Sequence, residues 1–464
     1  MLWDPLNAWP KGRRWLWAAL TIIVCLAQGA NFLQCLRPAR ERGADFYRNW
    51  IAARYIRDGI PIYSSQEEGI RRYLGYRSDP QTPGVDKLTH PPLAAILALP
   101  FVWLDYPDAT LAWNAASLCA LAVSLWLVGR HLGIPFPPWA VFPLTTLTLL
   151  CIPLREHLIH GQLSLILLVL LIGAWALNRS GHPCWAGALV GLATAIKLFP
   201  GFVLLYFLVR REWKAFAAGV ACLVALTQFT LLVVGPQAFV MYVTDVLPLL
   251  SQSRSYWLNS SIIGFWSKLF DPGDGLDSQF VIPLSRNSLI ARIGIAFSVG
   301  GILVCWARNV WVAHSRDECD RAFGLTFTTM LLVSPVVWDY YFPLLVLPIA
   351  LIWLAVSESA WGRAWFLVTV LALWTDQSVL WVAAIPGTAP GAWPRGVASP
   401  VNTLTVLSFQ FYAVLSLFIM QLVMSRQGTT GADAQGAAIP GSAASSSTPS
   451  LPLPVPPASP TTPE

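Results

Sequence analysis

The chain has 464 residues, 55% of them hydrophobic and only 12% charged, and its mean hydropathy is +0.56. A charged share about half that of soluble domains excludes a soluble enzyme with an ordinary solvated surface, and a net charge of +6 from scattered side chains excludes nucleic acid as the partner. The expected solvent is a bilayer.

A helix needs about 20 apolar residues to cross the hydrocarbon. The first run that long, Trp15 to Leu36, follows Lys11, Arg13 and Arg14 and lacks a small-x-small cleavage site, so it reads as an uncleaved first span after a cytoplasmic N-terminus, residues 1–14. The first loop, 37–90, carries nine arginines between Arg37 and Arg77, and within it Phe46, Trp50, Ala53 and Ile56 to Ile60 recur like one apolar helix face, closed by Gly59-Ile60-Pro61. The expectation is a long, amphipathic extracytoplasmic loop with a helix lying along the outer membrane surface. Pro91 to Leu104, roughly 21 Å as a helix, is too short to cross and reads as re-entrant or interfacial.

Further spans follow at Ala109 to Gly129 and Gly133 to Leu154, with a shorter one at Leu163 to Asn178. Trp185 to Val209 contains Lys197 and Pro200, so the expectation there is a broken helix that turns back and lines a cavity. Ala215 to Thr244 is long enough to cross, and residues 235–287, with Pro236, Pro248, Pro272 and Pro283, read as a second large outside loop with short helices. Ala322 to Trp338, Tyr340 to Val356 and Gly396 to Ser425 complete an all-α polytopic membrane protein of about ten to twelve spans over residues 15–426, with broken helices lining a lipid-facing cavity. The tail, 427–464, holds eight prolines and two charged side chains and is expected to be a disordered cytoplasmic segment. Eight cysteines without C-x-x-C spacing read as small buried apolar residues.

Positive residues near span ends set the orientation. Lys11, Arg13, Arg14, Arg130, Arg179, Arg210, Arg211, Lys214, Arg308, Arg316, Arg321, Arg363 and Arg426 serve as inside markers and put both termini inside. Polar residues then gather at the outer ends of spans: Asp45 with Tyr47, His90, His157 and His160 with Gln162, Lys197, Asn259, and Asp339 with Tyr340 and Tyr341. On spacing alone Asp45 reads first as the N-cap of the helix from Phe46 to Arg57, or as a partner for an arginine. Lys197 between two apolar runs either snorkels or meets an anion, for which a lipid phosphate is apt. A cap and an aromatic belt suffice to explain Asp339, and Asp376 reads as a structural partner for a polar neighbour. No Walker A loop, G-x-S-x-G elbow or zinc spacing is present.

In order, Asp45-Phe46-Tyr47 with Ala52 and Gly59-Ile60-Pro61-Ile62-Tyr63, His90-Pro91-Pro92, Gly161-Gln162, Lys197-Leu198-Phe199-Pro200, Asn259-Ser260-Ser261, and Ser334-Pro335 through Trp338-Asp339 resemble glycosyltransferase family 87, among the multispanning transferases that use polyprenyl-phosphate sugars. The resemblance extends from Gly43 to Pro348 and departs where Tyr340-Tyr341 follows Trp-Asp in place of histidine and where Ser260 stands in place of glutamine. It implies an α-mannosyltransferase, or a close sugar variant, on the outer face of the cytoplasmic membrane. A polyprenyl-phosphate sugar would be the donor and a glycolipid or glycan hydroxyl the acceptor, with inversion at the anomeric carbon and without a required metal or other cofactor. It further implies Asp45 as general base, Lys197, His90 and Gln162 around the donor phosphate, and Tyr47, His160, Asn259, Asp339, Tyr340 and Tyr341 around the substrate cavity. The rival readings are a transporter or lipid flippase, favoured by broken helices with intramembrane charge, and a scaffold whose Pro-rich tail binds a partner.

Overall fold

A computed structural model describes residues 9–37, 45–75, 88–273, 280–356, 359–385 and 396–436. The elements in chain order are α1 (Lys11–Leu36), α2 (Asp45–Arg57), α3 (Gln66–Leu74), α4 (Pro92–Leu97), α5 (Tyr106–Leu132), α6 (Val141–Leu150), α7 (Ile152–His160), α8 (Ser164–Arg179), α9 (Pro183–Ile196), α10 (Phe202–Val209) and α11 (Trp213–Val234). They continue with α12 (Pro236–Met241), α13 (Leu247–Gln252), α14 (Ile262–Phe270), α15 (Ser288–Val312), α16 (Arg316–Val333), α17 (Val346–Ala355), α18 (Ala360–Trp374), α19 (Gln377–Ala384), α20 (Pro400–Leu404) and α21 (Phe409–Gly436). Among the described residues the only β pairing is one isolated bridge between Val281 and Ala398. The chain is an all-α polytopic membrane protein.

Among the described residues five helical segments are long and apolar enough to cross a bilayer: α1, α5, α11, α15 and Pro400–Met424. Two bent pairs, α6 with its preceding turn plus α7 at 64° and α18 plus α19 at 82°, raise the figure to 7 when each is counted as one span. Continuous crossings are therefore fewer than the ten to twelve read from apolar runs. The difference arises where a run is cut by a backbone break, as at Cys151, Lys197 and the 3-10 segment Asp339–Leu345, which contains Pro343. Lipid contact explains the outer faces: Phe297 on α15 is 85% exposed and Leu232 on α11 is 87% exposed, with many other large apolar side chains in the same state. The eight cysteines are free, and only Cys35 is buried; Cys25, Cys119, Cys184 and Cys305 face outward from apolar helices, because composition alone does not separate core from lipid.

Helix α2 departs from the expected surface helix. Phe46, Trp50, Ile51, Ala52, Ala53 and Tyr55 are all buried, so the helix is enclosed on most sides and not merely on one face. Phe46 stacks on Trp113 of α5 at 4.9 Å, Trp113 Nε1 donates to the Gly161 carbonyl at 2.9 Å, and Trp50 Nε1 donates to the Phe101 carbonyl at 3.2 Å. Asn114 of α5 adds donations to the carbonyls of Leu36 and Leu158 at 3.1 and 3.0 Å, which ties the ends of α1 and α7 to the same place. Gly161 joins α7 to α8 with φ 58, and a Cβ there would lie 2.5 Å from the Cβ of Phe46, so the turn both needs the left-handed conformation and lets α2 approach.

At the other end of α8, about 24 Å away along its axis, Arg179 pairs with Asp320 of α16 at 2.5 Å, Trp175 donates to the same carboxylate at 2.8 Å, and Arg210 donates to the Ala313 carbonyl. The bundle thus has one end held by the pairing of Arg179 with Asp320 and an opposite end built around α2, which carries arginines of its own, Arg48, Arg54 and Arg57. Residues 1–425 form one compact unit, and residues 426–464 form a second. Of the tail expected to be disordered, 427–436 are helical, with no proline before Pro440 to stop the helix, and 437–464 lie outside the described residues.

Candidate active site

Asp45 is the first residue of α2, but its carboxylate is used by side chains and not as a backbone cap. Arg48, one turn on, donates from Nη1 to Oδ1 at 3.0 Å, and Gln162, just past the Gly161 turn, donates from Nε2 to Oδ2. Arg48 also donates from Nε to the Tyr47 hydroxyl at 3.2 Å. Burial alone would raise the Asp45 carboxyl, but the neighbouring cations, Arg48 foremost and Lys197 farther off, outweigh it and hold the group below its ordinary value. Asp45 is therefore ionised across the neutral range.

His90 lies in the turn before α4, where Asn49 of α2 meets its Nδ1 at 3.1 Å and Tyr63 donates to its carbonyl at 2.8 Å. Burial, then the charge of Lys197, push the imidazole down to about 3, which keeps it neutral. With the Asn49 amide oxygen facing Nδ1, that nitrogen carries the hydrogen and Nε2 is left as an acceptor. Gln162, expected near the donor phosphate, turns its amide nitrogen to Asp45.

Lys197 stands where α9 ends. Its backbone is extended (φ −152, ψ 135), and a 3-10 turn at Phe199–Gly201 with Pro200 redirects the chain into α10, as the broken-helix reading required. Its ammonium lies 4.3 Å from the centre of the Tyr341 ring and 5.9 Å from that of Phe199, within electrostatic reach of Asp45. Among the described residues it forms no ion pair within 4.0 Å. His160 stands 5.5 Å from the Tyr340 ring and 3.8 Å from the Glu156 carboxylate, and Tyr340 and Tyr341 pack edge to face at 5.0 Å. Asp45, Arg48, Gln162, His90, Lys197, His160, Tyr47, Tyr340 and Tyr341 therefore converge from five parts of the chain.

Asp339 sits beside this group, accepting from the Tyr340 N–H at 2.8 Å within reach of Glu156, Asp376 and Arg155. Asp376 caps α19 by accepting from Ser378 N at 2.8 Å and pairs with Arg155 at 3.3 Å, the structural role expected of it. Among the described residues no three His, Cys, Asp or Glu side chains are grouped as metal ligands would be.

Asn259 is not directed at the cavity. Its Nδ2 donates to the Arg254 and Pro335 carbonyls at 2.8 and 2.9 Å, and its Oδ1 accepts from Ser261 N and Val337 N at 3.1 and 3.0 Å. All four bonds go to backbone, so the side chain clamps the second loop to the segment that carries Asp339. Asn259→Ala should lower stability by about 3 kcal/mol, since several buried backbone groups lose their partner at once. Thermal unfolding measures this; an unchanged midpoint with a raised substrate KM would return Asn259 to the cavity.

An apolar slot of about 230 Å³ opens beside the polar group. Pro91 to Leu93 form one wall, next to His90, and Ala195 and Leu198 form another, next to Lys197; Leu223, Leu226 and Thr230 of α11 face them, and Phe239, Tyr242 and Val243 close the end. Residues 242–246 there are wound as a π-helix, a wider coil common at functional sites. The arrangement joins a held carboxylate, a cation and a greasy channel. Arg48 and Asn49 went unread in the sequence, although both lie one helical turn from Asp45, a spacing that puts them on its face.

Residues 88–335 match the profile of glycosyltransferase family 87. The chain is 28% identical over 426 residues to the polyprenol-phosphate-mannose-dependent alpha-(1-2)-phosphatidylinositol mannoside mannosyltransferase of Mycolicibacterium smegmatis, across 83% of this chain and 85% of that one. It is likewise 28% identical over 355 residues to the enzyme of the same description from Mycobacterium tuberculosis, across 71% of this chain and 74% of that one. An alpha-(1->3)-arabinofuranosyltransferase of Mycobacterium tuberculosis is 27% identical across 54% of this chain and 53% of its own length. No solved structure matches the chain.

Proposed function

The chain belongs to glycosyltransferase family 87 and is a membrane glycosyltransferase; from that premise we propose that it moves mannose from a polyprenyl-phosphate donor to a hydroxyl of a lipid-anchored glycan, with inversion at the anomeric carbon. The observation that carries the reading is the placing of Asp45, oriented by Gln162 and Arg48, within electrostatic reach of Lys197, whose chain neighbours Ala195 and Leu198 line an apolar slot. Asp45 takes the proton of the acceptor hydroxyl as its oxygen attacks C1 from the side opposite the phosphate. The bond from C1 to the phosphate oxygen breaks, its electron pair leaves with the polyprenyl phosphate, and Lys197 stabilises the charge that develops there. His90, through its accepting Nε2, and the Tyr340-Tyr341 wall orient the sugar. Tyr47 and His160 border the acceptor side, and Asp339 stands at its edge. An anionic leaving group beside a lysine calls for no further cofactor.

The slot supports a lipid-linked donor, since a soluble sugar nucleotide would gain nothing from Leu198, Leu223 and Leu226. Support for an extracytoplasmic site in the cytoplasmic membrane comes from Arg179, Arg210 and Arg316 in the short turns remote from Asp45, where the positive-inside bias is strongest; the arginines of the long first loop around α2 weigh less in it. Family membership removes the ground for the transporter reading.

Proteoliposomes supplied with radiolabelled polyprenyl-phosphate mannose and glycolipid acceptor should convert donor into labelled glycolipid, while polyprenyl-phosphate arabinofuranose is left unused. Transfer from the arabinose donor alone would overturn the sugar assignment, and uptake of label without a new glycosidic bond would overturn the reaction.

A further inference from the structure

At the end of α10 away from Lys197 the chain turns into α11 through Arg210, Arg211 and Glu212. Arg211 has φ 57, the left-handed conformation that commonly closes a helix and that glycine adopts freely. The turn is closed by Arg211 N donating to the Leu208 carbonyl at 3.1 Å and Glu212 N donating to the Phe207 carbonyl at 2.8 Å. An arginine in this position carries a backbone penalty that a glycine would avoid, and what it gains is the placement of a guanidinium. That guanidinium lies 4.7 Å over the ring of Trp311, near the end of α15. Arg210 is engaged elsewhere, with Glu212 at 3.3 Å and with the Ala313 carbonyl.

Arg211 and the exposed Arg308 have no carboxylate within ion-pair distance among the described residues. With Trp213 and Trp311, which are 58% and 54% exposed, and the aliphatic Leu208 and Val209, they line an open-sided cavity of about 750 Å³. Its lining combines two guanidinium groups without a carboxylate partner, two indoles of the kind enriched at the headgroup level, and apolar side chains, beside the exposed apolar Val304 of α15.

We propose that this pocket binds the phosphate headgroup of an anionic glycerophospholipid in the leaflet opposite the transferase site. Both guanidinium groups reach the phosphate, the indoles flank the glycerol region, and the acyl chains run along Leu208 and α15. A free phosphate would use the arginines and leave the apolar side chains without a role; a glycerophospholipid uses both, which is why the lipid is the occupant. The proposal stands apart from the sugar and acceptor assigned above.

The test uses the full-length protein, delipidated in detergent and titrated with dioleoyl-phosphatidylglycerol or dioleoyl-phosphatidylcholine, with bound lipid counted by native mass spectrometry. The wild type should retain phosphatidylglycerol over phosphatidylcholine, and Arg211→Gly with Arg308→Gln should lose about 30-fold in phosphatidylglycerol affinity, the worth of two charges at an anionic lipid surface. Arg211→Gly keeps the turn, because glycine accepts φ 57, so the unfolding midpoint should not fall and turnover in phosphatidylcholine nanodiscs should match wild type. Equal retention of the two lipids by the wild type, or undiminished phosphatidylglycerol binding by the double variant, would overturn the site. Displacement of the lipid by millimolar inorganic phosphate would overturn the lipid as its occupant.

Discussion

Asp45→Asn should lower transfer by about 10³-fold or more while the protein folds and binds donor as before. General-base catalysis contributes about 10² to 10⁴ in rate, and asparagine copies the shape of aspartate without its basicity. The amide oxygen can still accept from Gln162, so the geometry of the Gly161 turn survives. The charge change is local, because Arg48 remains partnered by the Tyr47 hydroxyl at 3.2 Å. The pH profile gives a second reading of the same residue. Asp45 is held below its ordinary value against the raising effect of burial, with Arg48 the foremost of the lowering charges. The wild-type acid limb should therefore lie below the ordinary carboxylate range, leaving activity flat from about pH 5 to neutrality as far as this group is concerned. Arg48→Gln removes the largest lowering charge, the Asp45 pKa rises, and the acid limb moves to higher pH. Wild-type turnover by Asp45→Asn would remove the base assignment and turn attention to Asp339. An unmoved acid limb in Arg48→Gln would mean that the limb belongs to another group.

The membrane class and the helix break at Lys197 were legible in the sequence, because each rests on a pattern that is costly elsewhere: long charge-free runs, a lysine between two of them and a proline three residues on. What the sequence did not disclose is how those residues are packed. Phe46, Trp50 and Ala53 look like one face of an interfacial helix, yet Ile51 and Ala52 on other faces are also buried, Ile51 against Gly69 of α3 and Ala52 in a cluster with Ala95 of α4. Apolar periodicity reports how many faces are greasy, not whether protein or lipid covers them, and the outward-facing Cys25 and Cys119 went astray for the same reason. Asn259 illustrates a different failure. A polar residue in an ordered loop motif is expected equally of a ligand and of a backbone clamp, and only the positions of the Arg254, Pro335 and Val337 backbone groups decide for the clamp. An arginine partner for Asp45 was foreseen, but Arg48 was not singled out from the others of the first loop, although its spacing from Asp45 already set it apart.

Lys197→Met should cut kcat/KM for the lipid-linked donor by about 10² to 10³, in line with the loss of one preorganised charge at a developing anion, and leave the acceptor KM nearly unchanged. Methionine keeps the length and apolar stem of lysine, so the wall against Tyr341 and Phe199 is preserved. The ring contact does not account for the ammonium by itself. A cation over an aromatic face contributes about 0.5 to 2 kcal/mol, whereas a charge within an apolar span costs about 2.5 to 3.5 kcal/mol even on the mildest scale. Asp45 offsets part of the difference, but it is held by Arg48 and Gln162 and is needed for the proton. On the proposed mechanism the remaining partner is the donor phosphate. Snorkelling makes the opposite prediction: a lysine that merely lifts its charge toward water can be replaced by methionine with donor kinetics intact. Product inhibition separates the two without relying on turnover. Polyprenyl phosphate carries the same phosphate and tail but no sugar, so its inhibition constant should weaken in parallel with donor use in Lys197→Met. An unchanged inhibition constant would place the phosphate elsewhere and leave Lys197 a structural cation over Tyr341.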